Sequence, residues 1–174
     1  ISVVANSVKA VVQIKLSAFG ETVALNQVKL TTDGTAAFGS NDGIDYIWLY
    51  ADVNNDGKLD GGDIQIGTPQ TPSGGFVTFS SISGQWVPTG TTGLNLLGVV
   101  HVGSNAAGAA GKTVILKVVA DADISGTGQT TGMPWEALGV AASPIVSNTM
   151  TFFAAGTSPG TLSVALGTNT PAAG

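Results

Sequence analysis

Val8, Ala10, Val12, Ile14 and Leu16 alternate with Lys9, Val11, Gln13 and Lys15. A period of two places successive side chains on opposite faces of an extended chain, so this segment has one buried face and one wet face. Similar runs recur at 22–31 (TVALNQVKLT), 44–51 (IDYIWLYA), 63–67 (DIQIG), 75–82 (GFVTFSSI), 93–102 (GLNLLGVVHV) and 112–121 (KTVILKVVAD). Further strand candidates are 134–141, 145–154 and 161–166, and only the WEAL segment from Trp135 to Leu138 suits a helical turn. The connections are short and built from Gly, Ser, Thr, Asn, Asp and Pro, and the Gly/Ala stretch at 103–111 reads as a loop. This pattern predicts an all-β chain: one domain over 1–174, an antiparallel, jelly-roll-like β-sandwich of about nine or ten strands with little or no helix.

Composition narrows the function classes. The 174 residues carry 11 acidic and 6 basic side chains, a net charge of −5, and every basic residue is a lysine. With no basic cluster to release counterions from phosphates, a nucleic-acid partner is not expected. No apolar run approaches the roughly 18 to 20 residues of a membrane span. Cysteine is absent, which removes disulfides, thiolate catalysis and Cys-ligated zinc. The opening ISVVANSVKA has neither an initiator Met nor a basic leader, as in a secreted chain after signal-peptide removal.

The segment DVNNDGKLDGGD, from Asp52 to Asp63, concentrates four of the acids in twelve positions. Counted from one, Asp52, Asn54 and Asp56 take positions 1, 3 and 5, Gly57 takes 6, Lys58 takes 7, and Asp60 and Asp63 take 9 and 12. A calcium loop of the EF-hand type uses side-chain oxygens at 1, 3 and 5, a main-chain carbonyl at 7, a further ligand at 9 and a carboxylate at 12, with glycine at 6 for the sharp turn. Lys58 fits because only its backbone oxygen is needed. An ordinary turn of Asp, Asn and Gly needs no ion, but the coincidence of six slots and the glycine favours Ca2+ bound by Asp52, Asn54, Asp56, Lys58, Asp60 and Asp63. Asp at position 12 shortens the reach of the last ligand, and strand-like flanks argue against a helical EF-hand pair. A second, weaker calcium site is sketched by two acidic pairs at strand ends, Asp42 with Asp45 and Asp121 with Asp123.

No catalytic constellation emerges. His101 is the only histidine and lies in an apolar strand, there is no Arg, and Glu21 and Glu136 are the only glutamates. An enzyme is therefore not expected. Trp48, Trp86 and Trp135 offer either core packing or a sugar-binding platform.

The succession VVQIKLSAFGETVALNQVKLTT, IWLYADVNNDGKLDGGDIQIG, TVILKVVADADISGTG and TLSVALGTNTPAAG resembles the β-sandwich repeats of prokaryotic extracellular and S-layer-associated proteins. The calcium segment itself is similar to dockerin-type loops. With apolar strand sequence at both ends, the chain further resembles secreted filament subunits assembled by donor-strand complementation: archaeal bundling pilins, TasA-type fibres and cannula-like tubes. The resemblance implies a calcium-stabilised structural subunit that polymerises head to tail with copies of itself outside the cell, using 1–8 or 161–174 as an exchanged strand, the pilus and TasA-type likeness favouring 1–8 as the donor. The alternative is a carbohydrate-binding or adhesin module of a larger cell-surface protein.

Overall fold

The computed structural model describes residues 5–39, 43–105, 110–138, 140 and 142–152. Among these, thirteen strands form: β1 Val8–Leu16, β2 Val23–Gly34, β3 Ala37–Phe38, β4 Gly43–Ala51, β5 Ile64–Gln70, β6 Phe76–Ser80, β7 Trp86–Val87, β8 Leu94–Val102, β9 Thr113–Val118, β10 Ile124–Gly128, β11 Pro134–Glu136, β12 Ile145–Val146 and β13 Met150–Thr151. The first sheet runs β1-β8-β4, and the far edge of β4 takes β5 and the short β3. Every pairing is antiparallel except β3 with β4.

The second sheet is organised by the twelve-residue β2, which is long enough to take two partners along each edge. On one edge β9 faces Thr31–Gly34 and β10 faces Val23–Val28; on the other, β6 faces Gln27–Thr31 and β7 faces Val23 and Ala24. β10 carries β11 outward, and β9 carries β12 and β13. The sheets pack face to face as a β-sandwich, with Ile14, Ile47, Leu49, Leu96 and Val100 from one meeting Leu25, Leu30, Val114, Leu116 and Ile124 from the other. Burying such alternate apolar residues is the main stabilising contribution, roughly 1.5–3 kcal/mol for each large side chain. Gly98 marks the closest approach: a Cβ there would lie 2.7 Å from Val12 Cγ1, 3.1 Å from Leu30 Cδ1 and 3.2 Å from Leu116 Cδ1.

The all-β sandwich agrees with the period-two reading, but two local expectations are corrected. The WEAL segment does not turn into helix: Pro134–Glu136 is extended and pairs with Ser125–Thr127, because ladder hydrogen bonds at the sheet edge outweigh a weak local propensity. The only helical turn among the described residues is instead a 3-10 turn at Asp121–Asp123. The run read as one strand over 145–154 is two short ones, and Phe153 and Ala154 lie outside the described residues. No helix of the described residues is long and apolar enough to cross a membrane.

β1 is an edge strand. Eight of its nine residues pair with β8 on one side, Val11 being skipped at a register shift, and among the described residues no strand pairs with the other side. The ladder to β8 reaches back before β1, since Asn6 N donates to Val102 O at 3.0 Å and Val102 N donates to Ser7 O at 2.9 Å.

Candidate metal-binding loop and its surroundings

Residues 52–63 close a hairpin. Ala51 pairs with Ile64, so the twelve residues leave β4 and enter β5 across a single cross-strand pair. The loop winds through a succession of turns in which side-chain oxygens accept from nearby backbone amides, the habit that makes Asp and Asn turn formers. Asn54 Oδ1 accepts from Asp56 N at 3.2 Å, Asp56 Oδ1 from Lys58 N at 2.8 Å, and Asp60 Oδ1 from Gly62 N at 2.8 Å. Gly57 has φ of +72°, a left-handed conformation that glycine adopts without a Cβ clash. Its N–H donates to Asp52 Oδ2 at 3.0 Å, closing the loop on its first residue. Asp63, the last, ties the two ends by accepting from Val53 N at 3.1 Å and from Asp60 N at 2.9 Å.

The loop also leans on the body of the sandwich. Gln13 of β1 donates from Nε2 to Asp52 Oδ2 at 2.6 Å and to Asn55 Oδ1 at 3.1 Å. Gly57, Lys58 and Leu59 line a cavity of about 430 Å³ together with Val8, Lys9 and Ala10. Thus the glycine turn lies over the outer face of β1, the edge strand.

The fit to a cation divides the loop. Asp52 is only 4% exposed, and its Oδ1 is buried with no hydrogen-bond partner. A buried carboxylate oxygen without a donor is costly unless a cation compensates it. Asp60 and Asp63, by contrast, direct both oxygens at donors, Asp60 Oδ2 taking Asn54 Nδ2 at 2.8 Å. Among the described residues, no three His, Cys, Asp or Glu side chains are drawn together as a metal cluster. The side-chain donors of the loop are oxygens, the chemistry a hard cation such as calcium takes.

Of the residues proposed for a second site, Asp45 lies on β4 of the first sheet, and Asp121 and Asp123 share the 3-10 turn after β9. Asp42 is outside the described residues. Asp45 sits on β4 and accepts from His101 Nδ1 at 2.6 Å. That contact, 56 residues apart in sequence, accounts for a histidine with no acid-base neighbour nearby in the chain. Asp123 closes the 3-10 turn that joins β9 and β10 of the other sheet. Its Oδ2 accepts from Val119 N at 3.0 Å and Ala120 N at 2.9 Å, and its Oδ1 meets Lys29 Nζ at 3.3 Å. Replacing Asp123 by Ala removes the acceptor of two backbone amides and is expected to cost about 2 kcal/mol, lowering the melting temperature by roughly 4–8 °C for a chain of this size. Thermal melting by circular dichroism checks this, and a midpoint unchanged from the parent refutes the role.

The three tryptophans do not form one platform. Trp48 lies on the outer face of β4 between Tyr46 and Tyr50, its ring 6.0 Å from His101 and nearly parallel to it, and its Nε1 is buried without a partner. Trp86 is half exposed on the other sheet, and Trp135 packs against the core. Tyr50 links the aromatic row to the loop: burial and the charge of Asp63 both push its phenol upward in pKa.

Two carboxylates near the surface set an acid limb. Glu21 is held below its ordinary value by the hydroxyl of Thr131 and by the amides of Thr130 and Thr131, and Asp33 by Lys117 and the amide of Gly34. A lowered folded-state pKa means the unfolded chain takes up the proton first. Their contribution is complete above the ordinary values of 4.5 and 3.8 and is lost as pH falls through the lowered folded values. Melting temperature should therefore fall between about pH 5 and pH 2. The Glu21→Gln/Asp33→Asn double variant should fall less steeply, and an identical slope would remove these two groups from the account.

No protein family, curated protein or solved structure matches this chain.

Proposed function

We propose that this chain is a secreted structural subunit that binds calcium in the 52–63 loop and assembles head to tail with copies of itself into an extracellular filament or tube by strand exchange. The observation that carries this reading is the open edge of β1, nine residues of strand with one neighbour among the described residues. An added strand would satisfy that edge with main-chain hydrogen bonds, and a head-to-tail contact that does not close on itself propagates as a filament. The segment 161–166 has strand alternation, with Leu162, Val164 and Leu166 on one face; it lies outside the described residues. Within 1–8, Asn6 and Ser7 bond to Val102 and Val8 pairs with His101. Those positions are occupied within their own sheet, which favours 161–174 as the lent strand. The loop, resting on Gln13, holds the accepting strand in place.

The row Tyr46, Trp48 and Tyr50 favours a second reading, a carbohydrate-binding or adhesin module, because aligned aromatic rings suit stacking on sugar faces. Sedimentation of the purified chain in calcium separates the two. The filament reading expects mass growing with concentration well beyond the 17.3 kDa monomer. A monomer at all concentrations contradicts it and supports the module.

A further inference from the structure

We propose that the calcium site is completed from outside the loop, by Asn95 of β8, so that the ion joins the hairpin to the middle of the sheet. This rests on the calcium reading of residues 52–63. Asp52 N donates to Asn95 O at 2.9 Å, continuing the ladder in which Ala51 faces Leu96. Asp52 and Asn95 are therefore opposite one another. Their side chains share the outer face, since Ala51 and Leu96 belong to the core and neighbours along a strand point oppositely. Directly opposed side chains start from Cβ atoms roughly 4.5–5.5 Å apart.

Both side chains present an oxygen that is buried and has no hydrogen-bond partner: Oδ1 of Asp52 and Oδ1 of Asn95. Two acceptors without a donor on facing residues are a poor arrangement for a protein interior but a suitable one for a divalent cation, which takes six to eight oxygen ligands. Both residues line one cleft of about 450 Å³ with Val53 and Asn55 of the loop. Its polar side chains are those of Asp52, Asn55, Gln85, Thr92 and Asn95. The sequence motif could not reveal this ligand, because Asn95 lies 43 positions after Asp52 in the chain.

A competing partner for these oxygens is Lys15, which pairs with Asn95 from the β1 side. Calorimetric titration with calcium chloride of the parent, Asn95→Ala, Asn95→Asp and Lys15→Met proteins, together with melting in chelator, decides the matter. Removing one neutral ligand should weaken the calcium Kd about tenfold, and adding a carboxylate should tighten it. Asn95→Ala should melt no lower than the parent in chelator, because it deletes an unpartnered acceptor. Asn95→Asp should melt lower in chelator, by repulsion from Asp52, and recover in calcium. If the parent binds but Asn95→Ala stays within about threefold of its Kd, the Asn95 assignment is overturned while the loop reading stands. If Lys15→Met lowers the midpoint in chelator and Asn95→Ala leaves the Kd unchanged, the ammonium serves these oxygens and the assignment is again overturned. A parent that binds no calcium overturns the loop reading itself.

Discussion

Melting the intact chain in excess calcium and again in chelator is expected to give midpoints roughly 8–16 °C apart. The size follows from linkage: a ligand at about a thousand times its Kd that binds only the folded state contributes about 4 kcal/mol, and each kcal/mol moves the midpoint of a chain this long by roughly 2–4 °C. The cause lies in the loop. Asp52, Asp56, Asp60 and Asp63 place four negative charges within twelve residues, and the first of them is buried with an unpartnered oxygen. Without the ion, folding must bring these charges together and desolvate Asp52 with only amide and Gln13 donors to offset them. With it, the hairpin between β4 and β5 is fastened at its open end, where Ala51 meets Ile64. Equal midpoints in calcium and chelator would remove the metal from the account and leave residues 52–63 as a hydrogen-bonded turn.

Deleting Thr161–Gly174 is expected to abolish polymerisation while leaving a folded monomer. The folded state should survive because, among the described residues, a complete core cluster is assembled between Val12 and Phe152. The polymer should not, because the apolar face of Leu162, Val164 and Leu166 contributes roughly 1.5–3 kcal/mol per buried side chain, enough to offset much of the association cost of about 4–15 kcal/mol. The open side of β1 has features that restrict which strand can bind. Lys9 and Lys15 are exposed, and the pairing with β8 shifts register between Ala10 and Val12. Bulges and lysines of this kind discourage indiscriminate edge pairing, so an incoming strand must match the local twist and register. Retained fibres from this truncation would move the donor role to Ile1–Val4 or away from strand exchange altogether.

The strands that could be read from sequence were those in which alternation and burial coincide. Val12, Ile14 and Leu16, or Ile47, Leu49 and Ala51, are buried at every second position while their neighbours stay more exposed. β10 was hidden because ISGTG is composed largely of glycine and small polar residues; it is extended only because Val23–Val28 provides a ladder to join. The same tertiary influence made a 3-10 turn of Asp121–Asp123, where the Asp123 carboxylate gathers the amides of Val119 and Ala120; of the strand candidate 134–141, Pro134–Glu136 is extended. In the candidate site, the loop was legible because all its spacing is local. Its supports were not. Gln13 precedes Asp52 by 39 positions, and Asp52 and Asn95 face one another only through the β4–β8 register. Asp45 and His101 likewise meet only across that ladder, which is why each looked solitary in the chain.

Electron microscopy of three proteins in calcium tests self-assembly by strand exchange most directly: the intact chain, a form lacking Ile1–Val4, and a form lacking Thr161–Gly174. The shorter N-terminal deletion keeps Asn6 and Ser7, whose backbones bond to Val102. Strand exchange through 161–174 predicts long fibres or tubes from the intact chain, the same from the N-terminal deletion, and dispersed monomers from the C-terminal deletion. Fibres from both truncations like those of the intact chain, or none from the intact chain itself, would contradict it.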